Sequence, residues 1–200
     1  ERAGWLCDSF FLGRAEQFFT KKNIVEKNFL ENYILAPGLE HIPSGMLPMC
    51  YPADFEIELY IPNWAMFFVL EIEDYYYRTG DKEIIKRAES KVFALLDYLS
   101  GYENEFGLLE NLKGWIFVEW SAANDPAFTK GVNFPTNMLY SAALESAGKI
   151  YKNSNLILSA NEKRKRIRKM SYDGSFFADN ALRNEKGKLE RTKNYTETCQ

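Results

Sequence analysis

Carboxylates and tryptophans are the residues of this sequence whose chemistry stands out. Its 200 residues include 28 Asp and Glu and four Trp. It has one His, His41, in a loop-forming Pro and Gly context, and three Cys without the Cys-x-x-Cys spacing of a metal or redox site. We interpret His41 as a surface-loop residue and expect no metal site. Any catalysis is therefore predicted to use carboxylates as general acid and base.

The first eight residues, Glu-Arg-Ala-Gly-Trp-Leu-Cys-Asp, bring these groups together. Glu1 and Asp8 are carboxylates on either side of Trp5, whose ring would desolvate a neighbouring acid and favour its protonated form. A second interpretation is that both are ordinary carboxylates at the start of a helix, where the helix dipole stabilises them. The residue types alone favour this second interpretation, and the motif that they form favours the first.

The segment 1–8 resembles the glycoside hydrolase family 78 α-L-rhamnosidases, whose motif reads Asp-Cys-Pro-x-Arg and then Glu-Arg-x-Gly-Trp-x-x-Asp. The second half of that motif is present in full, and the first half would precede residue 1. The similarity continues in Ser-Phe-Phe-Leu-Gly-Arg-Ala-Glu (9–16), Ile-Pro-Asn-Trp-Ala-Met (61–66) and Tyr-Tyr-Arg-Thr-Gly-Asp (76–81). It covers essentially the whole sequence in order.

The resemblance implies an all-α fold, a partial (α/α)6 toroid of helical hairpins that forms about half of the full barrel. It implies hydrolysis of a terminal α-L-rhamnoside with inversion, and no metal or organic cofactor. Glu1 would be the general acid, and Asp8 would bind sugar hydroxyls. The family's general base is a Glu farther along its chains, and no carboxylate of this sequence matches it. The expected partners are a rhamnose-containing carbohydrate and the remainder of a longer parent chain.

Several side chains are candidates for holding the sugar. A pyranose packs its C–H face against an aromatic ring, and the resemblance makes Trp64, Trp115 and Trp120 the candidate platforms. Glu119 and Asp54 are candidate acceptors for sugar hydroxyls. The alternative for the three tryptophans is that they fill the core.

Apolar residues at helical spacing predict six helices that pair into hairpins. The predicted helices cover residues 6–19, 23–35, 63–77, 81–100, 134–151 and 155–170. Because the partners of a pair are joined by short links, we expect antiparallel hairpins whose long connecting loops share one end. The first helices of the pairs should form one layer and the second helices the other. The run 115–118 is β-prone, and 171–195 is predicted to be a polar loop.

Composition limits the other possibilities. A net charge of −3 and a pI near 5.4 argue against a nucleic-acid partner, so the basic run 162–169 is interpreted as a solvated helix face. No apolar run reaches the ~18 residues of a membrane span. We expect 1–200 to be a single partial catalytic domain of a longer glycosidase, with no compartment predicted. The alternatives are another (α/α)6 carbohydrate-active enzyme, or a non-catalytic helical module that binds sugar or protein.

Overall fold

The computed structural model describes residues 3–53 and 59–200. Glu1 and Asp54, two of the predicted site residues, lie outside these ranges. The described chain is mostly helical, and its helices are α1 (Leu6–Phe19), α2 (Ile24–Leu35), α3 (Pro62–Thr79), α4 (Lys82–Ser100), α5 (Pro126–Thr129), α6 (Phe134–Ile150) and α7 (Ser154–Ser171). The strands are β1 (Val132–Asn133), β2 (Asn180–Arg183) and β3 (Leu189–Arg191), and short 3-10 turns lie at Ala122–Asn124 and Glu197–Cys199.

The described ranges contain three helical hairpins, α1/α2, α3/α4 and α6/α7. Helix α3 lies between α1 and α6 and packs against both, so the first helices of the hairpins form one layer. Behind that layer, α2 packs against α1 and α4, and α7 packs against α6. The predicted all-α fold, with its two layers and its partial toroid of hairpins, is confirmed.

Local signals in the sequence set the ends of these helices. Pro62 occupies the first turn of α3, where its missing N–H costs nothing. Gly80 ends α3 in the left-handed region, with φ +72°, which a glycine adopts without a steric penalty. Asp81 then caps α4, because its carboxylate accepts hydrogen bonds from the backbone N–H groups of Glu83 (3.0 Å) and Ile84 (3.3 Å).

The core is built around α3, the helix that the sequence predicts to be apolar on most sides. Ala65, Met66, Phe68, Val69 and Ile72 are all fully buried. Because α3 is covered by α1, α4 and α6, its nearly continuous apolar sequence has neighbours on several sides. This central helix holds the first hairpin against the third.

The C-terminal segment differs from the prediction of a polar loop. Residues 180–191 form the hairpin β2–β3, and β2 also pairs with β1 in the antiparallel order β1-β2-β3. The hairpin closes because the side chain of Asn184 accepts hydrogen bonds from the backbone N–H groups of Lys186 and Lys188, both at 3.0 Å. Gly187 supplies the required positive φ of 74°. Strands this short carry too little alternation to be recognised.

Two smaller expectations also fail. The β-prone run 115–118 forms no strand, and side chains rather than a partner strand accept the hydrogen bonds of the backbone N–H groups of Phe117 and Val118. Lys163, within the basic run 162–169, is 3% exposed and pairs with Glu103 at 2.9 Å, so this part of the run is not solvated. Along the described stretches, no helix combines the length and apolar character needed to cross a membrane.

Candidate functional site

The layer formed by α1, α3 and α6 is called the inner layer, and the first turns of these three helices meet at one end of it. Trp5 precedes α1 and Trp64 lies in the first turn of α3, with their ring centroids 5.6 Å apart. On the other side of α3, the amide of Asn63 donates a hydrogen bond to the hydroxyl of Thr136 in the first turn of α6, at 2.9 Å. The three inner helices therefore start together, and the predicted site residues that lie within the described ranges are found around this end.

Backbone pairing fixes the motif segment that leads into α1. The N–H of Tyr51 donates to the carbonyl of Gly4 (2.9 Å), and the N–H of Leu6 donates to the carbonyl of Met49 (3.1 Å). The hydroxyl of Tyr33 also donates to the Gly4 carbonyl, at 2.8 Å. A side chain at Gly4 would meet the Tyr51 carbonyl, which explains why the motif needs glycine there.

Asp8 lies in the first turn of α1 and is exposed. With Trp5 it lines a groove between α1 and α2 that has a volume of about 710 Å³. The groove is otherwise largely apolar, with Leu12, Phe19 and Phe29 among the residues along it. The structure thus places the predicted hydroxyl-binding carboxylate in the lining of a largely apolar groove.

Five aromatic residues, Trp5, Trp64, Trp115, Phe117 and Trp120, form a continuous set that we call the aromatic cluster. Phe117 is its centre, with ring centroids 5.3 Å from Trp64, 5.2 Å from Trp115 and 4.8 Å from Trp120. The pairs are edge-to-face, the arrangement that the ring quadrupoles favour. The cluster joins the start of α1 to the loop 115–120.

Exposure differs sharply within the aromatic cluster. Trp64 is 7% exposed and buried against its neighbours, whereas Trp120 is 81% exposed. The indole N–H of Trp64 has no hydrogen-bond partner within the described ranges. Trp120 therefore presents a ring to solvent, while the buried Trp64 packs against Trp5 and Phe117 inside the cluster.

Side chains hold the loop that carries Trp115 and Trp120 in its conformation. The side-chain oxygen of Asn63 accepts from the N–H of Phe117 (3.3 Å), and that of Asn124 accepts from the N–H groups of Val118 (2.7 Å) and Glu119 (3.3 Å). The hydroxyl of Ser121 donates to the Glu119 carboxylate at 2.6 Å.

Glu119 is an ionised acceptor beside the exposed Trp120. Hydrogen bonds from the side chains of Ser121 and Thr198 lower the pKa of the Glu119 carboxyl. Because the carboxylate stays charged at neutral pH, it can accept hydrogen bonds but cannot donate them. This suits a group that binds hydroxyls better than one that donates a proton.

The structure thus brings together Trp64, Trp115, Trp120 and Glu119, and Trp5 connects them to Asp8. The central role of Phe117 is not predicted from the sequence, although residues 115 and 117 share the alternation of a β-prone run. The groove between α1 and α2 is not predicted either, and the glycine inside α1 is the signal that could have indicated it. Among the described residues, no group of three or more His, Cys, Asp or Glu is placed to hold a metal ion.

Comparison with known families adds to this geometry. A family model described as the bacterial alpha-L-rhamnosidase 6 hairpin glycosidase domain matches residues 1–197. The chain belongs to this rhamnosidase family. The resemblance carried by the first eight residues is therefore confirmed at the level of the family, and the chain is a glycoside hydrolase family 78 rhamnosidase-like domain. No curated protein sequence matches it significantly.

Two solved structures share the fold. A rhamnosidase from Klebsiella oxytoca with rhamnose bound superposes with a TM-score of 0.73 at 12% identity, over 94% of this chain and 36% of that one. A family 78 rhamnosidase of Bacillus sp. GL1 superposes with a TM-score of 0.71 at 19% identity, over 95% of this chain and 20% of that one. The rhamnosidase-like chain thus spans about a third or less of the length of these proteins.

Proposed function

We propose that this chain forms part of an α-L-rhamnosidase that hydrolyses terminal α-L-rhamnosides with inversion of configuration. The match to the rhamnosidase family over residues 1–197 carries the proposal. The geometry supports it, because the motif segment leads into the end of the inner layer where Asp8 and the aromatic cluster lie.

Inverting hydrolysis needs one protonated acid at the leaving oxygen and one carboxylate that activates water from the opposite face. In the proposal, Glu1 is the acid, and Asp8 accepts hydrogen bonds from the sugar. The two catalytic carboxyl groups of inverting enzymes stand roughly 6.5–9.5 Å apart, which leaves room for the water. The base would come from the remainder of the parent chain, as the resemblance implies.

Sugar contact is assigned to the exposed part of the aromatic cluster. The exposed ring of Trp120 offers a flat apolar face, and the ionised Glu119 beside it offers an acceptor for hydroxyls. Trp115 packs against Trp120 with ring centroids 6.2 Å apart and backs this face. Trp64 is buried, so its contribution is to hold Phe117 and Trp5 in place.

The rest of a six-hairpin domain would cover the open side of α1 and α2. The family description names six hairpins, and the described ranges contain three. Phe19 and Val25, which line the groove, are 86% and 71% exposed. Exposed apolar surface of this kind marks an interface. We therefore assign 1–200 to one partial catalytic domain whose groove packs against a further hairpin of the parent chain.

The proposal is tested by comparing two substrates on the intact protein. Glu1→Gln keeps the shape of the side chain but cannot donate a proton. An alkyl rhamnoside, with its poor leaving group, should then lose about 10²–10⁴-fold in rate, the usual contribution of general acid catalysis. An aryl rhamnoside with an activated leaving group should lose much less.

Two controls make this result specific. Asp8→Asn removes a hydroxyl contact and should weaken both substrates alike, whereas Glu185→Gln, at an exposed position in the β2–β3 turn, should change neither. Equal losses for both substrates in Glu1→Gln would exclude Glu1 as the acid. Binding of rhamnose by an intact protein that hydrolyses no rhamnoside would instead favour the non-catalytic module.

A further inference from the structure

A buried carboxyl group packs against α1, the helix that contains Asp8, and takes no part in the site described above. Glu71, in the middle of α3, is fully buried, and its Oε2 lies 2.6 Å from the hydroxyl oxygen of Ser9 in α1. Its other oxygen, Oε1, has no hydrogen-bond partner among the described residues. An ionised carboxylate with one bare oxygen in the core would be strongly disfavoured.

Counting hydrogens at Ser9 identifies which group donates. The Ser9 hydroxyl oxygen lies 2.6 Å from the carbonyl of Leu6 as well as 2.6 Å from Glu71 Oε2. A serine hydroxyl has one hydrogen, and a backbone carbonyl can only accept. Serine in a helix commonly donates to the carbonyl one turn earlier, as here. The hydrogen between Ser9 and Glu71 must therefore come from Glu71, which requires a protonated carboxylic acid.

The charges around Glu71 agree with this assignment. Arg78 pairs with Glu26 at 2.5 Å and with Asp74 at 3.2 Å, so its charge is shared by other carboxylates. The groups that face Glu71 are the Cys7 thiol from α1, Glu26 and the Tyr33 hydroxyl from α2, and Asp74 and Arg78 from α3. Most of this set is acidic.

The pKa of the Glu71 carboxyl lies well above its ordinary value, and burial is the largest cause. The charges of Glu26 and Asp74 raise this pKa further. The charge of Arg78 opposes this rise in pKa and is weaker than the effect of burial. Burial also raises the pKa of the Cys7 thiol, to about 11, so the thiol adds no negative charge at neutral pH.

We propose that Glu71 is a neutral, proton-donating positioning residue, which fixes the first turn of α1, and with it Asp8, against α3. Leu6 and Ser9 belong to the turn that contains Asp8, so the chain of hydrogen bonds from Glu71 through Ser9 to Leu6 ties that turn to the central helix. The part of the proposal that concerns sugar binding rests on the proposed function of Asp8. The part that concerns the proton does not.

The protonation state predicts a direction for stability against pH. A carboxyl whose pKa is raised by folding keeps its proton in the folded state after the unfolded chain has released it. Its contribution is complete below the unfolded pKa, near 4.5, and is lost as the pH rises towards the folded value. Glu71→Gln places a neutral amide at this position, which can donate to Ser9 at every pH, and so removes this loss.

Infrared spectroscopy and urea unfolding of the intact protein test the proton directly. At pH 7 the wild type should show the carbonyl stretch of a protonated carboxylic acid, which Glu71→Gln abolishes and the exposed control Glu185→Gln retains. The urea midpoint of the wild type should fall between pH 5 and pH 8 relative to that of Glu71→Gln. An unchanged band in Glu71→Gln, or parallel midpoints across this range, would overturn the inference.

Substrate binding tests the positioning role. Glu71→Ala should raise KM for both rhamnosides several-fold while altering kcat little, and Glu71→Gln should restore KM. If Glu71→Ala does not fold, Ser9→Ala removes the acceptor instead and should shift the infrared band while raising KM. Unchanged KM in both variants would exclude positioning. If the wild type hydrolyses no rhamnoside, the proposed function fails, and the infrared band still decides whether Glu71 carries a proton.

Discussion

Replacement of Gly13, in the middle of α1, should destabilise the protein even when the new residue is alanine. A Cβ built on Gly13 would lie 2.9 Å from Cγ of Glu26 and closer still to the carboxyl group of Glu26. Glu26 is 3% exposed and forms an ion pair with Arg78 at 2.5 Å. Because the carboxyl occupies the space of the absent side chain, Gly13→Ala must displace either α2 or the ion pair.

Three contributions determine the change in the free energy of unfolding, one favourable and two unfavourable. Alanine in a helix interior gains about 1 kcal/mol over glycine. Forcing an extra carbon into a packed contact costs about 1–3 kcal/mol, and separating a buried ion pair costs about 3–5 kcal/mol. Because the added carbon would lie well inside contact distance of the carboxyl carbon of Glu26, we take the upper end of the first range and the lower end of the second, so that either displacement costs about 3 kcal/mol; subtracting the gain of about 1 kcal/mol leaves a destabilisation of about 2 kcal/mol.

Urea unfolding at neutral pH, with the urea midpoint read by circular dichroism, measures this effect. Gly38→Ala is the matched control, because a Cβ at Gly38 meets no atom within 4 Å and should change stability by less than about 1 kcal/mol. In a Glu26→Ala background the obstruction is gone, so Gly13→Ala should there stabilise by up to about 1 kcal/mol. Gly13→Ala that is as stable as the wild type, or equal effects in both backgrounds, would refute the reasoning.

Three further predictions address the aromatic cluster, the buried lysine and the open groove. Trp120→Ala should weaken rhamnoside binding by about tenfold in calorimetry and leave the melting temperature nearly unchanged, because its ring is exposed. Lys163→Met should lower the unfolding free energy by about 1–2 kcal/mol, and the exposed Lys169→Met should not. The isolated 200-residue chain should self-associate in sedimentation, and Phe19→Lys should reduce this association more than Leu158→Lys on the outer face of α7.

Helices could be predicted from the sequence because their signals are local. The limits of α1 are as predicted, the start of α4 is predicted to within one residue, and α3 ends two residues beyond its predicted limit, immediately before the Gly80-Asp81 pair. The order of hairpins followed from link lengths in the same way. These signals come from residues within one or two helical turns of each other, so they can be recognised from the sequence alone.

Contacts between distant residues could not be predicted in this way. Lys163 is buried because Glu103, sixty residues earlier, lies beside it, and nothing in a basic run indicates that partner. Phe117 becomes the centre of the aromatic cluster because Asn63 and Asn124 determine the path of its loop. The resemblance identified the tryptophans near the site, but the exposure that separates Trp120 from Trp64 is a property of the packed structure.

Helix α1 combines the predicted motif with these unpredicted contacts. Ser9 and Gly13 are one turn apart on the same face of α1, and each admits a buried carboxyl from a neighbouring helix, Glu71 from α3 and Glu26 from α2. One cation, Arg78, pairs with Glu26, whereas Glu71 has the Ser9 hydroxyl. Burial raises the pKa of both carboxyls, and two buried carboxyls beside one arginine cannot both be ionised cheaply; because Arg78 pairs with Glu26, Glu71 is the one that we propose to be neutral. The position of α1, and of the Asp8 carboxylate it carries, then depends on small residues at 9 and 13 and on one retained proton.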